Sequence, residues 1–268
     1  MRVAGVLLLL LSLPAAAGTL ELEGQFIQGG LVLGRTDPGA EIRLDGRVLR
    51  VSPEGRFALG FGRDHGPEAT VEARFPDGSR EVRRLAVASR SYRVQRIDGL
   101  PPKMVTPDPA VLARIRREGA LIAAVRRRDS PETWFAGPWA WPARGPISGV
   151  YGSRRILNGK PRRPHYGLDI AAPAGAPVVA PTDAVVALAE PDLYYTGGTV
   201  MLDHGHGVTS VYSHMSTVAV RAGQRVRRGD VIGTVGSTGR VTGPHLDWRV
   251  NWFKERLDPA LLVGPPPP

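Results

Sequence analysis

This chain of 268 residues contains no cysteine. It therefore forms no disulfide and has no thiol for lipid attachment after export. Export without disulfides is ordinary for a bacterial periplasmic protein and less usual for a small secreted animal protein. The chain also lacks an apolar run of the roughly 20 residues that a membrane-spanning helix needs.

The first residues nevertheless have the pattern of a signal peptide. Arg2 precedes a short apolar run, and the small residues Ala15-Ala16-Ala17 close it. Such a segment is typical of secretory signals that are removed after export. We therefore predict a signal peptide over residues 1–17, no membrane anchor after its cleavage, and a periplasmic or secreted mature protein.

Acidic residues are scarce relative to basic ones. The chain has 35 Lys and Arg against 25 Asp and Glu, a formal net charge of +10. Loss of Arg2 with the signal leaves +9 (10 − 1), which favours an anionic partner. An exported chain meets anionic cell wall and membrane before nucleic acid, so we do not expect nucleic-acid binding. The alternative is a basic surface that serves solubility alone.

Long helical patterns are scarce as well. The 33 glycines and 25 prolines favour turns, and residues 19–94 alternate β-prone runs with turn signals such as Asp45-Gly46. Strands at this spacing indicate a small β-sandwich. The predicted organisation is a signal peptide (1–17), an N-terminal β-sandwich (18–96), a proline-rich linker with a basic helix (97–144), a second β domain (145–262) and a proline-rich tail (263–268).

One helix is predicted, and it lies in the linker. Asp108 can cap it and Pro109 suits its first turn. Apolar residues then recur at helical spacing, and the helix should end near Arg128. Its arginines form a basic face that is either solvated or docks on membrane or wall. They are Arg114, Arg116, Arg117, Arg126, Arg127 and Arg128.

The second domain is again rich in β-prone runs. No helical pattern separates these runs, so we expect a largely antiparallel sheet. Trp134, Trp139 and Trp141 lead into the domain and could stack on sugars or pack against it. The predicted strands are Ala176–Ala180, Ala184–Leu188, Thr199–Leu202, Val208–Tyr212, Val220–Asp230 and Val231–Gly236. The overall prediction is a mostly β protein with an N-terminal small β-sandwich, a linker helix and a C-terminal antiparallel β domain.

Two other interpretations of this domain fail on missing residues. The hairpins of residues 223–236 resemble those of lipoyl and biotinyl carriers, but no lysine occurs from Pro161 to Phe253 to carry the cofactor. The segment Gly236–Gly243 resembles a phosphate-binding loop, but it lacks the Gly-Lys-Ser/Thr element and precedes no predicted helix.

Three of the six histidines lie in short segments bounded by Gly, Pro or Ser, and two of these segments also carry aspartate. His165 and Asp169 lie roughly 13 Å apart along an extended strand, too far to share one metal ion. The backbone must therefore bend, and Gly167 can adopt the φ values of a sharp bend. His245 and Asp247 are two residues apart, so a strand directs both to one face. His214 lies in the third segment.

The other three histidines are interpreted as structural. His204 and His206 flank Gly205 and resemble a second metal pair, but their glycines suit a hairpin. We therefore expect a solvated turn there. His65 lies beside Gly66-Pro67 and is expected to be a solvated loop residue.

At these residues the chain resembles the M23 family, the lysostaphin-type or LytM-domain zinc metallopeptidases that cut peptide cross-links in bacterial cell wall. The resemblance covers residues 145–259. It rests on His165-x-x-x-Asp169, Ala172 to Val178, Tyr212-x-His214, the Gly frame around Gly223, and Thr242 to Leu246. The N-terminal β domain and linker are similar to those of exported proteobacterial members.

The resemblance implies roles for five residues. His165 and Asp169 would be zinc ligands, and His214 and His245 would be catalytic histidines beside the attacking water and the oxyanion. The third ligand position holds Asp247 where the family has histidine. Aspartate can bind zinc, but a second carboxylate would neutralise the divalent ion, weaken its acidifying effect and favour harder metals such as manganese.

Two functions remain open at this point. The first is a metal-dependent endopeptidase that hydrolyses peptidoglycan cross-links. The second is a degenerate regulator that binds the wall, or activates another wall hydrolase, without catalysis of its own. In either case the resemblance implies peptidoglycan as partner, with cell-division or wall-hydrolase proteins as further candidates.

Overall fold

The structure is a computed structural model that describes residues 18–99 and 107–266. The predicted signal peptide, residues 100–106 of the linker and the last two residues of the tail lie outside these ranges. Strands dominate, and the described residues contain one α-helix, so the predicted fold class is confirmed. No helix in the described ranges combines the length and apolar character that crossing a membrane would need.

Seven strands form two antiparallel sheets in the N-terminal half. In Glu68–Arg74, Ala69, Val71 and Ala73 are buried while alternate residues face outward, the pattern of a sheet with one face on the core. The strands are β1 Leu20–Gly24, β2 Leu31–Thr36, β3 Glu41–Leu44, β4 Arg47–Leu49, β5 Arg56–Gly60, β6 Glu68–Arg74 and β7 Arg80–Ala86. The sheet orders are β1-β2-β5 and β4-β3-β6-β7.

The linker helix begins as predicted. The Asp108 carboxylate accepts a hydrogen bond from the Ala110 amide at 2.8 Å, which satisfies a backbone donor at the helix start. A 3-10 turn, Pro109–Val111, leads into α1, Leu112–Arg126. The helix therefore ends two residues before the predicted Arg128.

The described residues hold thirteen further strands, one before the linker helix and twelve in the C-terminal half. They are β8 Val94–Ile97, β9 Ile147–Gly149, β10 Arg154–Leu157, β11 Lys160–Pro161, β12 Leu168–Ile170, β13 Pro177–Val179, β14 Ala184–Leu193, β15 Gly197–Gly205, β16 Val208–Val218, β17 Arg225–Val226, β18 Val231–Val235, β19 Leu246–Trp252 and β20 Glu255–Leu257. Ten of them form one antiparallel sheet of order β17-β14-β15-β16-β19-β12-β9, with β18 paired to β16 and β13, and β20 paired to β19. A separate three-stranded sheet pairs β10 in parallel with β8 and antiparallel with β11.

One predicted strand is mostly absent. Residues 220–230 form only the two-residue strand Arg225–Val226. Gly223 and Gly229 on either side have φ of 83° and 92°, values that glycine adopts readily and that break a strand into turns. The prediction was wrong here because glycine marked two turns within the segment as well as its ends.

The central strand β19 separates the core from a polar face. Trp248 and Val250 are fully buried in the core. Asp247, Arg249 and Asn251 alternate with them on the opposite face, which we name the groove face.

Helix α1 lies on this groove face. Val125 joins Met201 and Val211 in a small apolar cluster, and Val211 is the cross-strand partner of Arg249. Cross-strand partners share a face of the sheet, so α1 covers the sheet beside the polar residues of β19. Its basic side is not wholly solvated, contrary to one expectation, because Nε of Arg126 is shielded from solvent.

The linker tryptophans pack against the C-terminal domain. The Trp139 ring lies 4.7 Å from the His204 ring, and the Trp141 ring 5.8 Å from that of Trp248, measured between centroids. Both indole N–H groups donate to backbone carbonyls, among them those of Phe135 and Gly264. These contacts favour the packing interpretation over sugar stacking.

Candidate metal centre

His165 and Asp169 meet because the chain bends between them, as predicted. His165 Nε2 lies 3.1 Å from Asp169 Oδ1. Glycine at position 167 does not serve the purpose predicted for it, because its φ lies outside the left-handed region. A Cβ at Gly167 would lie 2.8 Å from Asp247 Oδ1 and 2.5 Å from the Trp248 carbonyl oxygen. Glycine is therefore required here for close approach to β19.

Asp247 completes a three-residue cluster. Asp169 on β12 and Asp247 on β19 are direct cross-strand partners, so both carboxylates leave the sheet on the same side. One ligand atom from each of His165, Asp169 and Asp247 lies within 4.8 Å of the others. All three residues are buried.

Three polar atoms of this cluster lack a hydrogen-bond partner. Both ring nitrogens of His165 and Oδ1 of Asp169 are buried without a hydrogen bond. Such atoms are costly to bury unless something satisfies them. One imidazole and two carboxylates are suitable ligands for zinc or manganese. The residues present therefore fit a divalent metal ion.

Two arginines that the sequence analysis missed hold the carboxylates. Arg249 Nε donates to Asp247 Oδ1 at 2.8 Å, and its Nη2 donates to Oδ2. Arg155 Nη2 donates to Asp169 Oδ2 at 3.1 Å. The i, i+2 spacing of Asp247 and Arg249 on a strand was a signal that could have found the first pair.

These arginines change the charge of the site. Two carboxylates contribute −2 and two guanidinium groups +2, so the ligands with their partners are formally neutral. Burial would raise the pKa of Asp247, but the Arg249 guanidinium outweighs it and holds that pKa below its usual range. The two arginines thus offset the charge of the carboxylates, which the expectation of a neutralised metal did not include.

His214 and His245 lie side by side at the same site. Their ring centroids are 4.9 Å apart, and His245 Nε2 lies 3.8 Å from Asp169 Oδ1. His214 Nδ1 contacts the Thr238 carbonyl at 2.8 Å, and His245 Nδ1 the Gly243 carbonyl at 2.9 Å. A carbonyl only accepts, so each Nδ1 carries the proton and each Nε2 has a free lone pair when the ring is neutral.

The environment of His214 favours that neutral form. Burial lowers the pKa of His214, and the opposing charge of Asp247 only partly offsets the effect. Its backbone φ of 67° is unusual for a residue with a side chain, and the amide donates to the Thr196 carbonyl at 2.7 Å. The fold thus fixes the position of this ring and favours its neutral form.

The turn at His204 and His206 is not solvated, contrary to the prediction. His204 is fully buried and His206 is 2% exposed. His204 Nδ1 contacts the Asp183 carbonyl at 2.9 Å, and Nε2 contacts Ser210 Oγ at 2.7 Å. With both ring nitrogens bonded, His204 is a structural residue. The hairpin itself was predicted correctly, but its burial was not: the Trp139 ring packs on His204 and the Phe135 ring packs on His206.

His65 is also less exposed than expected. Its ring lies 5.0 Å from the Phe61 ring in an edge-on arrangement, and its side chain is 18% exposed. Nδ1 contacts the neighbouring Gly66 carbonyl at 2.9 Å. The residue is half-buried at the surface of the N-terminal half and takes no part in the site.

Comparisons with known proteins point to one family. The family model of Peptidase family M23 matches residues 163–259, the part of the chain that carries all five site residues. A crystal structure assigned to peptidase M23, from Pseudomonas aeruginosa, is 32% identical with a TM-score of 0.70, covering 90% of this chain and 96% of that one. The similarity therefore extends over the N-terminal half as well.

Curated relatives match the C-terminal half. The DD-carboxypeptidase/endopeptidase Mpg of Neisseria meningitidis is 42% identical over 105 residues, which is 39% of this chain and 24% of that protein. The peptidoglycan DD-endopeptidase ShyA of Vibrio cholerae is 44% identical over 87 residues, 32% of this chain and 20% of that protein. The matched region thus spans about a quarter or a fifth of these longer relatives.

Proposed function

We propose that this chain, which belongs to peptidase family M23, is a metal-dependent endopeptidase that hydrolyses peptide cross-links of bacterial peptidoglycan. The observation that carries the proposal is the convergence of His165, Asp169 and Asp247 beside two histidines whose Nε2 atoms are free. The names of the Neisseria and Vibrio relatives support the same substrate.

His165, Asp169 and Asp247 would hold the metal, which we propose to be zinc, with manganese as the alternative. A bound divalent ion supplies a Lewis acid that polarises the peptide carbonyl and lowers the pKa of water. Arg155 and Arg249 orient the two carboxylates through the hydrogen bonds described above. Partners of this kind fix the direction of ligand side chains and tune the site.

His214 and His245 would handle protons during hydrolysis. Each ring holds its Nδ1 proton on a backbone carbonyl, so Nε2 is the atom that can take a proton from the attacking water. The protonated ring can then donate a hydrogen bond to the developing oxyanion or a proton to the leaving amine. Two adjacent rings allow these tasks to be divided.

We further propose that the protein is exported. The support is the signal-peptide pattern of residues 1–17 and the location of the proposed substrate outside the cytoplasm. Mass spectrometry of the protein isolated from its native host should give a chain beginning at Gly18. A chain that retains Met1 and stays in the cytoplasmic fraction would contradict this part.

The test of the main proposal is digestion of purified peptidoglycan by residues 18–268 loaded with zinc or with manganese. We expect release of uncross-linked peptides, and its loss in His245→Ala. His65→Ala, far from the site, is the matched control and should act like the wild type. If the wild type releases nothing, or His245→Ala equals it, the hydrolase proposal fails. Binding without release would favour the regulator.

A further inference from the structure

A group of arginines lies on the groove face next to the proposed metal centre. Arg249 continues β19 from Asp247, and Arg256 on β20 is the cross-strand partner of Asn251. Arg126 at the end of α1 lies close enough to repel Arg249, Arg256 and Arg163 electrostatically. We name Arg126, Arg163 and Arg256 the arginine cluster.

The cluster has little negative charge to balance it. Among the described residues, none of its three members forms a salt bridge, whereas the adjacent Arg249 is committed to Asp247. Glu255 partly offsets the charge of Arg256 but forms no salt bridge with it in the described part of the chain, and its Oε2 is directed at Gly62 of the N-terminal half. The guanidinium of Arg256 donates to the Asn251 side-chain oxygen, a neutral partner.

Burial makes this arrangement costly. Nε of Arg126 is shielded from solvent and has no hydrogen-bond partner in the described part of the chain. Burial and the neighbouring arginines lower the pKa of Arg126 to about 9 and that of Arg256 to about 10. A group of like charges that is partly removed from water is unfavourable unless an anion balances it.

The distance of the cluster from the proposed metal centre indicates which anion it would bind. Arg256 lies opposite Asn251, which is four residues along β19 from Asp247, a distance of roughly 13 Å. That distance equals about four residues of an extended peptide whose scissile bond lies at the metal. In a peptide substrate the anionic groups are carboxylates, and the guanidinium group matches their geometry.

We propose that the arginine cluster is a binding site for a free carboxylate of the substrate peptide, about four residues from the bond that is cut. The inference rests on the proposed peptidase function and specifies its substrate. The carboxylate offsets the positive charge of Arg126, Arg163 and Arg256. Helix α1 thereby contributes to substrate selection as one wall of the groove.

The experiment compares two forms of one substrate. Cross-linked muropeptide dimers are used as isolated and after chemical conversion of their carboxylates to carboxamides. For the wild type we expect kcat/KM to be about 10-fold or more higher for the carboxylate form, since charge-assisted hydrogen bonds are the stronger ones. Arg126→Gln and Arg256→Gln should each reduce that preference, with the loss mainly in KM.

Arg84→Gln provides the matched control, because it removes the same charge from an exposed position on β7. It should keep the full preference. Arg126 has no protein partner to lose, so Arg126→Gln should unfold at or above the wild-type temperature and remain usable if Arg256→Gln does not fold. Equal cleavage of both forms by the wild type, or a preference that survives Arg126→Gln, would overturn the inference.

A binding measurement separates this inference from the proposed hydrolysis. Calorimetric titration of His245→Ala with each muropeptide form reports affinity without turnover. If the wild type cleaves neither form but His245→Ala binds the carboxylate form more tightly, and Arg126→Gln removes that difference, the site stands although the peptidase proposal fails. Equal affinity for the two forms overturns the site whatever the outcome of the cleavage assay.

Discussion

Two buried histidine clusters of this protein look alike in sequence and differ in structure. One is the metal centre of His165, Asp169 and Asp247, and the other is the hairpin of His204 and His206. His204 bonds the protein through both ring nitrogens, while both ring nitrogens of His165 lack a hydrogen bond. The ring nitrogens of His206 also lack one, but among the described residues only His165 has two further candidate ligands beside it. Burial alone thus does not identify a ligand. A candidate ligand is marked instead by a buried polar atom that lacks a hydrogen bond and lies close to other potential ligand atoms.

The largest expected difference between the clusters is in catalysis. His214→Ala should lower kcat for wall-peptide hydrolysis by roughly 10²–10⁴-fold, the usual contribution of a proton-transfer residue. It should still bind one metal ion per chain, because His214 is not among the proposed ligands. His204→Gln should retain the wild-type kcat. If His214→Ala and His204→Gln lose similar amounts of kcat at equal metal content, the two clusters do not differ in catalytic role.

The hairpin cluster should instead determine how stability depends on pH. Burial lowers the pKa of His204 from 6.5 to about 4, so between these pH values the unfolded state binds more protons than the folded state. Stability is therefore complete above about pH 6.5 and falls by up to about 3 kcal/mol as the pH drops to about 4. Burial also lowers the pKa of His206.

Denaturant unfolding at several pH values measures this effect. His204→Gln should show a flatter dependence between about pH 4 and 6.5 than the wild type. His65→Ala serves as the control and should keep the wild-type slope. If the slope of His204→Gln matches the wild type, the buried imidazole is not the source of the acid sensitivity.

At the metal centre, the arginine partners should control metal affinity. Arg249→Gln leaves all three ligands in place but removes the charge that orients and balances Asp247. We expect zinc to bind about 10–100-fold more weakly, as is usual when a partner of a metal ligand is lost. Competition with a chromophoric chelator gives this value directly, and Arg84→Gln should match the wild type. An unchanged affinity would mean that Arg249 only packs against the carboxylate.

The smallest predicted effect is the coupling of Asp247 with Arg249. Asp247→His alone places an imidazole beside a guanidinium that has lost its carboxylate, so metal binding should weaken even though histidine is a good ligand. Adding Arg249→Gln should recover part of the affinity, with a coupling energy of about 0.5–3 kcal/mol. Additive effects in this double-mutant cycle would show that the two residues act independently.

Much of this protein was determined by its sequence alone. Turn residues such as Asp45-Gly46, the capping residue Asp108 and the alternating strands act locally, and they predicted the fold class and the linker helix correctly. The spacing of His165 with Asp169, and of His245 with Asp247, also indicated the candidate ligands. These signals are readable because each depends on residues only a few positions apart.

The tertiary structure decided what depends on residues distant in the chain. Arg155 meets Asp169 from a separate strand, Trp139 packs on His204, and Arg126 of the linker helix lies near Arg256 of β20. Sequence spacing could not show which histidines would be satisfied or which carboxylates would be balanced, because burial and charge act through space. Thus the sequence predicted candidate metal ligands, whereas the fold paired two of them with arginines and placed the arginine cluster beside them.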